Sequence, residues 1–276
     1  MLALALIFGA AVGFSLGLTG GGGSIIAVPL LVYGLAMAPR QAVGVSLAAV
    51  GATALVGAVH RLWHGEVEVR TGLMFAVAGM LGAPVGTYIG HRVPETLLLL
   101  SFAALMLWVA AMMWRKASRR PEEAAVVRAP GAKRPADDAG PACRRDPAGR
   151  LRLTSRCATV MVLAGVATGV LSGLFGVGGG FVVVPALVLF SGMGIHRAVA
   201  TSLLVIALVS ASGVASKVLA GEGLAAGVTG LFVVGGVAGL GLGTVFARRL
   251  SPVKLQKAFA AVIVVVAVFV IVKNVA

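Results

Sequence analysis

One broken pattern, repeated 156 residues apart, limits what this chain can become. Residues 13–31 read GFSLGLTGGGGSIIAVPLL, and residues 169–187 read GVLSGLFGVGGGFVVVPAL. Gly13, Gly17, Gly20, Gly22, Gly23 and Pro29 align without a gap onto Gly169, Gly173, Gly176, Gly178, Gly179 and Pro185. Each copy interrupts an apolar run with glycines, then resumes it with a proline inside. When two membrane helices are broken at corresponding places, the breaks point to a binding site.

The surrounding residues place these runs in lipid. Hydrophobic residues make up 59% of the 276 and charged ones 12%, against about 25% charged in a soluble domain. Apolar stretches at 1–18, 72–90, 96–114, 198–214, 224–247 and 258–272 approach or reach the roughly 20 residues that cross about 30 Å of hydrocarbon. Glycines within such runs let helices approach closely. Residues 1–18 lack a basic leader and a small-residue cleavage site, so they read as a retained span. Cys143 and Cys157 lack the spacing of a metal site.

A net charge of +14 raises the question of nucleic acid, and its placement answers it. Residues 115–156 hold 12 Lys/Arg and 5 Asp/Glu, and the other basic residues sit in short loops between apolar runs. That is the pattern of cytoplasmic charge bias in membrane proteins. A solvated tether is expected here, in contact with anionic lipid headgroups at most.

The chain divides into a first transmembrane repeat (1–114), a basic linker (115–157) and a second repeat (158–276). The first repeat holds five apolar segments at about 1–18, 24–37, 41–59, 71–90 and 95–114. The second holds five at about 158–174, 181–193, 198–216, 224–247 and 252–273. Likeness extends past the glycines, since Ala42, Val43, Ser46 and Leu47 match Ala198, Val199, Ser202 and Leu203. Gly82, Gly86, Thr87 and Arg92 match Gly239, Gly243, Thr244 and Arg249 one inserted residue later.

With the linker in the cytoplasm, 19 basic residues fall inside and 4 (Arg40, Arg92, Lys217, Lys273) outside. An odd number of crossings per half inverts one half against the other. The expected fold is an all-α integral membrane protein of two inverted repeats, 8–10 segments in total, some of them re-entrant. The halves become parallel only if one of the first two segments spans and the other does not.

The breaks suggest an anion site. Glycines let successive N–H groups converge, and a helix starting at Ser24 or Phe181 adds the positive end of its dipole. The candidate shell is Thr19, Gly20, Gly21, Gly22, Gly23, Ser24 and Ser46 from the first half, with Gly176, Gly178, Gly179, Gly180, Phe181, Thr201 and Ser202 from the second. Close helix packing alone also uses glycines, but four in a row exceed that need. Pro29 and Pro185 each remove an N–H and are candidates for a kink or gate. Arg40 and Arg197 are candidate entry or anchoring residues. His60 and His64 are candidates for proton coupling, a role histidine side chains can take, or merely a solvated helix end.

All nine acids lie in loops or the linker. Cation pumps and proton relays usually keep an ionisable group mid-span, so a small anion is the expected cargo. No lysine follows GVGGG as a nucleotide-binding loop requires. No nucleophile–base pair or metal cluster suggests an enzyme, and no cofactor is expected.

With its paired G-x-x-x-G-x-x-G-x-G-G-G-x-x-x-x-P motif, its A-V-x-x-S-L segments and its polar central loop, the chain resembles the sulfite exporter TauE/SafE family along nearly its whole length. Ser24 stands where the second copy has Gly180. The resemblance implies a bacterial inner-membrane permease for sulfite, sulfoacetate or related organosulfonates. An anion channel, a proton-coupled importer, and a scaffold or sensor acting through the linker are the alternatives. Oligomeric state is left open between monomer and homodimer.

Overall fold

Ten helices build the described protein, five on each side of the basic linker. In the first half they are α1 (Leu2–Thr19), α2 (Ser24–Pro29, continued as a π-helix over Leu30–Gly34), α3 (Pro39–Trp63), α4 (Val69–Arg92) and α5 (Glu95–Arg119). In the second they are α6 (Ser155–Phe175), α7 (Gly180–Ser191), α8 (Ile195–Leu219), α9 (Ala226–Ala247) and α10 (Pro252–Val275). This computed structural model describes residues 2–21, 23–119, 144–145, 151–152, 155–191, 193, 195–221, 223, 225–247 and 252–275. Most of the linker lies outside them. Within it, β1 (Arg144–Arg145) pairs antiparallel with β2 (Leu151–Arg152). Cys157 on α6 is buried and disulfide-bonded.

Among the described residues, seven helical segments are long and apolar enough to cross a membrane. On α4, Leu73, Val77, Leu81, Val85 and Ile89 are exposed at steps of four residues. In water such a stripe would drive aggregation; in lipid it is the solvent-facing surface. The opposite face of α4 buries Gly72, Gly79, Gly82 and Gly86. The all-α membrane fold read from composition is the fold observed.

Chemistry explains the local boundaries. Pro39 starts α3, where its missing N–H costs nothing, and His60 and Arg61 end it beside the negative end of the dipole. Left-handed glycines stop α1 and α6 alike. Gly20 (φ +74°) donates its N–H to the Leu16 carbonyl, and Gly176 (φ +71°) to the Ser172 carbonyl. Pro29 sits where α2 widens from α to π, as expected when a residue without an N–H interrupts the ladder.

The halves pack by exchange. α1 lies along α9 and α4 along α6; α3 packs on α8, and α5 on α10. Gly9, Gly13 and Gly17 meet Phe232, Gly236 and Leu240 in the same order, so α1 and α9 are parallel. α3 and α8 run the other way: Gly51 faces Ser210, Gly57 faces Leu203, and Gly213 faces Leu47. These two repeat-related helices are therefore antiparallel and form the most enclosed pair.

The segment lengths are mixed, because α1 reaches spanning length and α2 with its π turn does not. The sequence reading tied that mixture to parallel halves, yet α3 and α8 still oppose each other. The reason is that α2 returns beside α1, placing Gly23 against the backbone of residues 12–16 and Gly34 against Phe8.

Candidate functional site

The two glycine breaks meet. A Cβ on Gly180 would stand 2.7 Å from Gly21 Cα, and one on Gly21 would collide with the Gly180 carbonyl. Gly178 lies against Val50 and Ser210, and Gly180 against Ile206, close to the midpoints of α3 and α8. Irregular backbone at that depth in lipid requires protein or water around it, and residues 175–180 are all buried.

The second break is polar and unsatisfied. Gly178 and Gly179 adopt φ of +62° and +68°, a left-handed conformation that L side chains rarely take. Followed by the first turn of α7, such backbone is of the kind that can turn successive N–H groups toward an anion. No described group accepts from the N–H of Gly178, Gly179 or Gly180. Ser46 on α3, Ser172 on α6 and Ser210 on α8 are fully buried, and Thr87 on α4 is 4% exposed. Among the described residues none of these four hydroxyls has a hydrogen-bond partner. Ser210 Oγ is 3.0 Å from where a Gly178 Cβ would sit, and Ser172 Cβ is 3.6 Å from that of Gly179. A buried polar group left unmatched costs roughly 1–3 kcal/mol, so this cluster calls for an explanation.

At the first break the described hydroxyls are engaged. Ser24 Oγ donates to the Gly21 carbonyl at 2.7 Å. Ser202 Oγ lies 2.5 Å from the Gly20 carbonyl and 2.8 Å from that of Val199. Thr19 Oγ1 donates back to the Ser15 carbonyl at 2.8 Å. Ser46 and Ser202, matched in sequence, thus differ in state. Ser202 staples α8 to the first break, whereas Ser46 sits one turn beyond Val43, which packs on Gly176.

Other candidates lie apart. Thr201 Oγ1 accepts the Glu68 N–H at 3.0 Å, fastening the α3–α4 loop to α8. His60 and His64 are exposed, with ring centroids 4.6 Å apart, and Arg197 is exposed. Pro29 is buried and Pro185 half-buried. Gly22 and the side chain of Phe181 lie outside the described residues. Arg40 donates to the His91 carbonyl at 3.1 Å and stands 3.9 Å from Glu95.

Arg40 also lines a cleft with Val43, Thr87, His91, Gly173 and Lys217. Antiparallel packing explains how the start of α3 and the end of α8 come to share it. Lys217, 4% exposed, is set into its wall. Val43 borders both the cleft and Gly176, so the cationic cleft lies beside the second break.

The sequence reading did not select Ser172, Ser210 or Thr87. A signal for two of them was present, because Ser172 and Ser210 align with Leu16 and Ala54. Polar residues confined to one copy of a repeat mark where the copies have diverged.

Comparison with known proteins fits a membrane carrier. Residues 5–270 match the sulfite exporter TauE/SafE family. A "Probable membrane transporter protein" of Xylella fastidiosa is 36% identical over 95% of this chain and 92% of its own length. The "Probable membrane transporter protein YunE" of Bacillus subtilis is 28% identical over 80% of this chain and 78% of its own. No solved structure matches the chain.

Proposed function

The chain belongs to the sulfite exporter TauE/SafE family of membrane transporters, and we propose that it moves small sulfur-containing anions out of the cell by alternating access around the paired glycine breaks. The observation carrying this reading is the backbone contact of Gly21 with Gly180 beside the α3–α8 midpoints. Two helix interruptions that meet beside the antiparallel α3 and α8 support a site reachable from either side, as in carriers built from inverted repeats. Backbone N–H groups there would hold an anion without a charged side chain.

Export is the favoured direction because an interior-negative membrane drives each exiting negative charge with about 2.3 kcal/mol per 100 mV. A uniporter then needs no coupling ion. His60 and His64 are exposed near the end of α3, which supports reading them as a solvated helix end. The membrane is taken to be the bacterial inner membrane, with the linker in the cytoplasm. The disulfide at Cys157 speaks for an oxidising compartment instead. We give the charge bias more weight, since cations beside the spans set orientation during insertion, and without the linker the count is still 7 to 4.

Flux into and out of proteoliposomes tests the proposal. Sulfite or sulfoacetate flux is expected to saturate, to follow an imposed voltage, and to ignore a pH gradient. Flux that never saturates would indicate a channel, and strict dependence on a proton gradient an importer. Deleting residues 121–147 is expected to leave flux within about two-fold of wild type. Loss of flux on that deletion would shift the function to the linker.

A further inference from the structure

The geometry points to unequal roles for the two breaks: the second break holds the anion, and the first, whose described hydroxyls are engaged with carbonyls, is its structural counterpart. This inference rests on the transporter reading and specifies its site. The ligand is an oxyanion with several acceptor oxygens, such as a sulfite or sulfonate group. The N–H groups of Gly178, Gly179 and Gly180 and the hydroxyls of Ser172 and Ser210 bind it, and on export it leaves through the Arg40–Lys217 cleft.

Three independent observations converge on this assignment. The hydroxyls of Ser172 and Ser210 are fully buried, lack partners among the described residues, and lie against Gly179 and Gly178. At the first break the hydroxyls of Ser24 and Ser202 are already engaged with the carbonyls of residues 20, 21 and 199. The repeat places Leu16 and Ala54 where the second break has Ser172 and Ser210, so the first break lacks these two hydroxyl donors.

The surroundings agree in sign and access. The described cleft beside the second break carries Arg40 and Lys217, with unpartnered Thr87 in its wall. Ser46, buried and unpartnered, lies one turn below Val43 between that mouth and the loop. An exported oxyanion thus passes from the backbone donors at the start of α7 to hydroxyls and last to the cations of the cleft. Hydroxyls without protein partners are what a site needs when its acceptor is the cargo.

Ser172→Ala, Ser210→Ala and the double substitution test this assignment, with Ser216→Ala as the control, since that α8 hydroxyl donates to the Ser212 carbonyl. KM and maximal rate for labelled sulfite are measured in proteoliposomes, and thermal unfolding in detergent. Each site substitution is expected to raise KM about ten-fold, as loss of a hydrogen bond to a charged group implies. Melting temperature should stay level or rise, because an unpaired buried hydroxyl is removed. The control should keep KM within two-fold. Unchanged KM in the double variant, with working wild-type flux, overturns the assignment and leaves the transporter reading intact. A rise in KM accompanied by lost stability overturns it too, because that is what a packing role predicts. Absence of saturable wild-type flux overturns both.

Discussion

Gly21→Val is expected to abolish anion flux, lowering it by at least a hundred-fold, in protein that still inserts into the membrane. The prediction follows from the closest contact between the two breaks. Any Cβ at position 21 would fall on the backbone of Gly180, and one at position 180 on Gly21 Cα and Ile206 Cδ1. Ile206 can swing away, but backbone cannot, so the breaks must separate. Overpacking a well-filled interior costs about 1–3 kcal/mol, which a protein of ten packed helices can survive. Transport is less forgiving, because a shift of about 1 Å in a binding group can lose a hundred-fold in rate. Size-exclusion profile, melting temperature in detergent and sulfite flux should be measured together. A monodisperse Gly21→Val protein with wild-type flux would refute the central placement of the breaks. Ile206→Ala should not rescue Gly180→Val, since Gly21 still blocks the added carbon.

The second large effect is on stability, at a seam distant from the site. Gly13→Val is expected to cost roughly 3 kcal/mol or more, the upper end for overpacking, and to leave much of the protein misassembled. Gly9, Gly13 and Gly17 bring α1 into backbone contact with α9, and a Cβ at Gly13 would collide with the Gly236 carbonyl. Helix association in lipid depends on such close approach, since lipid tails provide no hydrophobic drive. Gly241→Ala, on the same α9 but with nothing within 4 Å, should instead gain about 0.5–1 kcal/mol by restricting the chain. Equal melting temperatures for these two variants would contradict the seam described here.

The glycine pattern thus carries two meanings, and spacing alone could not separate them. Gly13, Gly17, Gly169 and Gly173 serve packing, while Gly176, Gly178 and Gly179 serve conformation, with φ of +62° to +71° in the structure. Helix number and boundaries were readable because apolar length and glycine breaks are local properties. The closing turns of α3 and α8 were likewise marked by His60, Arg61 and Lys217. Thr201 illustrates the opposite case. Its sequence neighbour Ser202 reaches the first break, yet Thr201 faces the α3–α4 loop, because adjacent residues point about 100° apart around a helix.

Membership of the lipid phase, ten segments in two related halves, and the paired breaks all follow from composition and repetition along the chain. Which serines are satisfied does not. Ser46 and Ser202 occupy equivalent sequence positions, and only the packed structure shows one bonded to a break and the other without a partner. The joining of Arg40 to Lys217 in one cleft likewise depends on α3 and α8 crossing antiparallel. Hydropathy and backbone conformation are set by neighbours in sequence, whereas satisfaction of a buried hydroxyl is set by whatever another helix places within 3 Å.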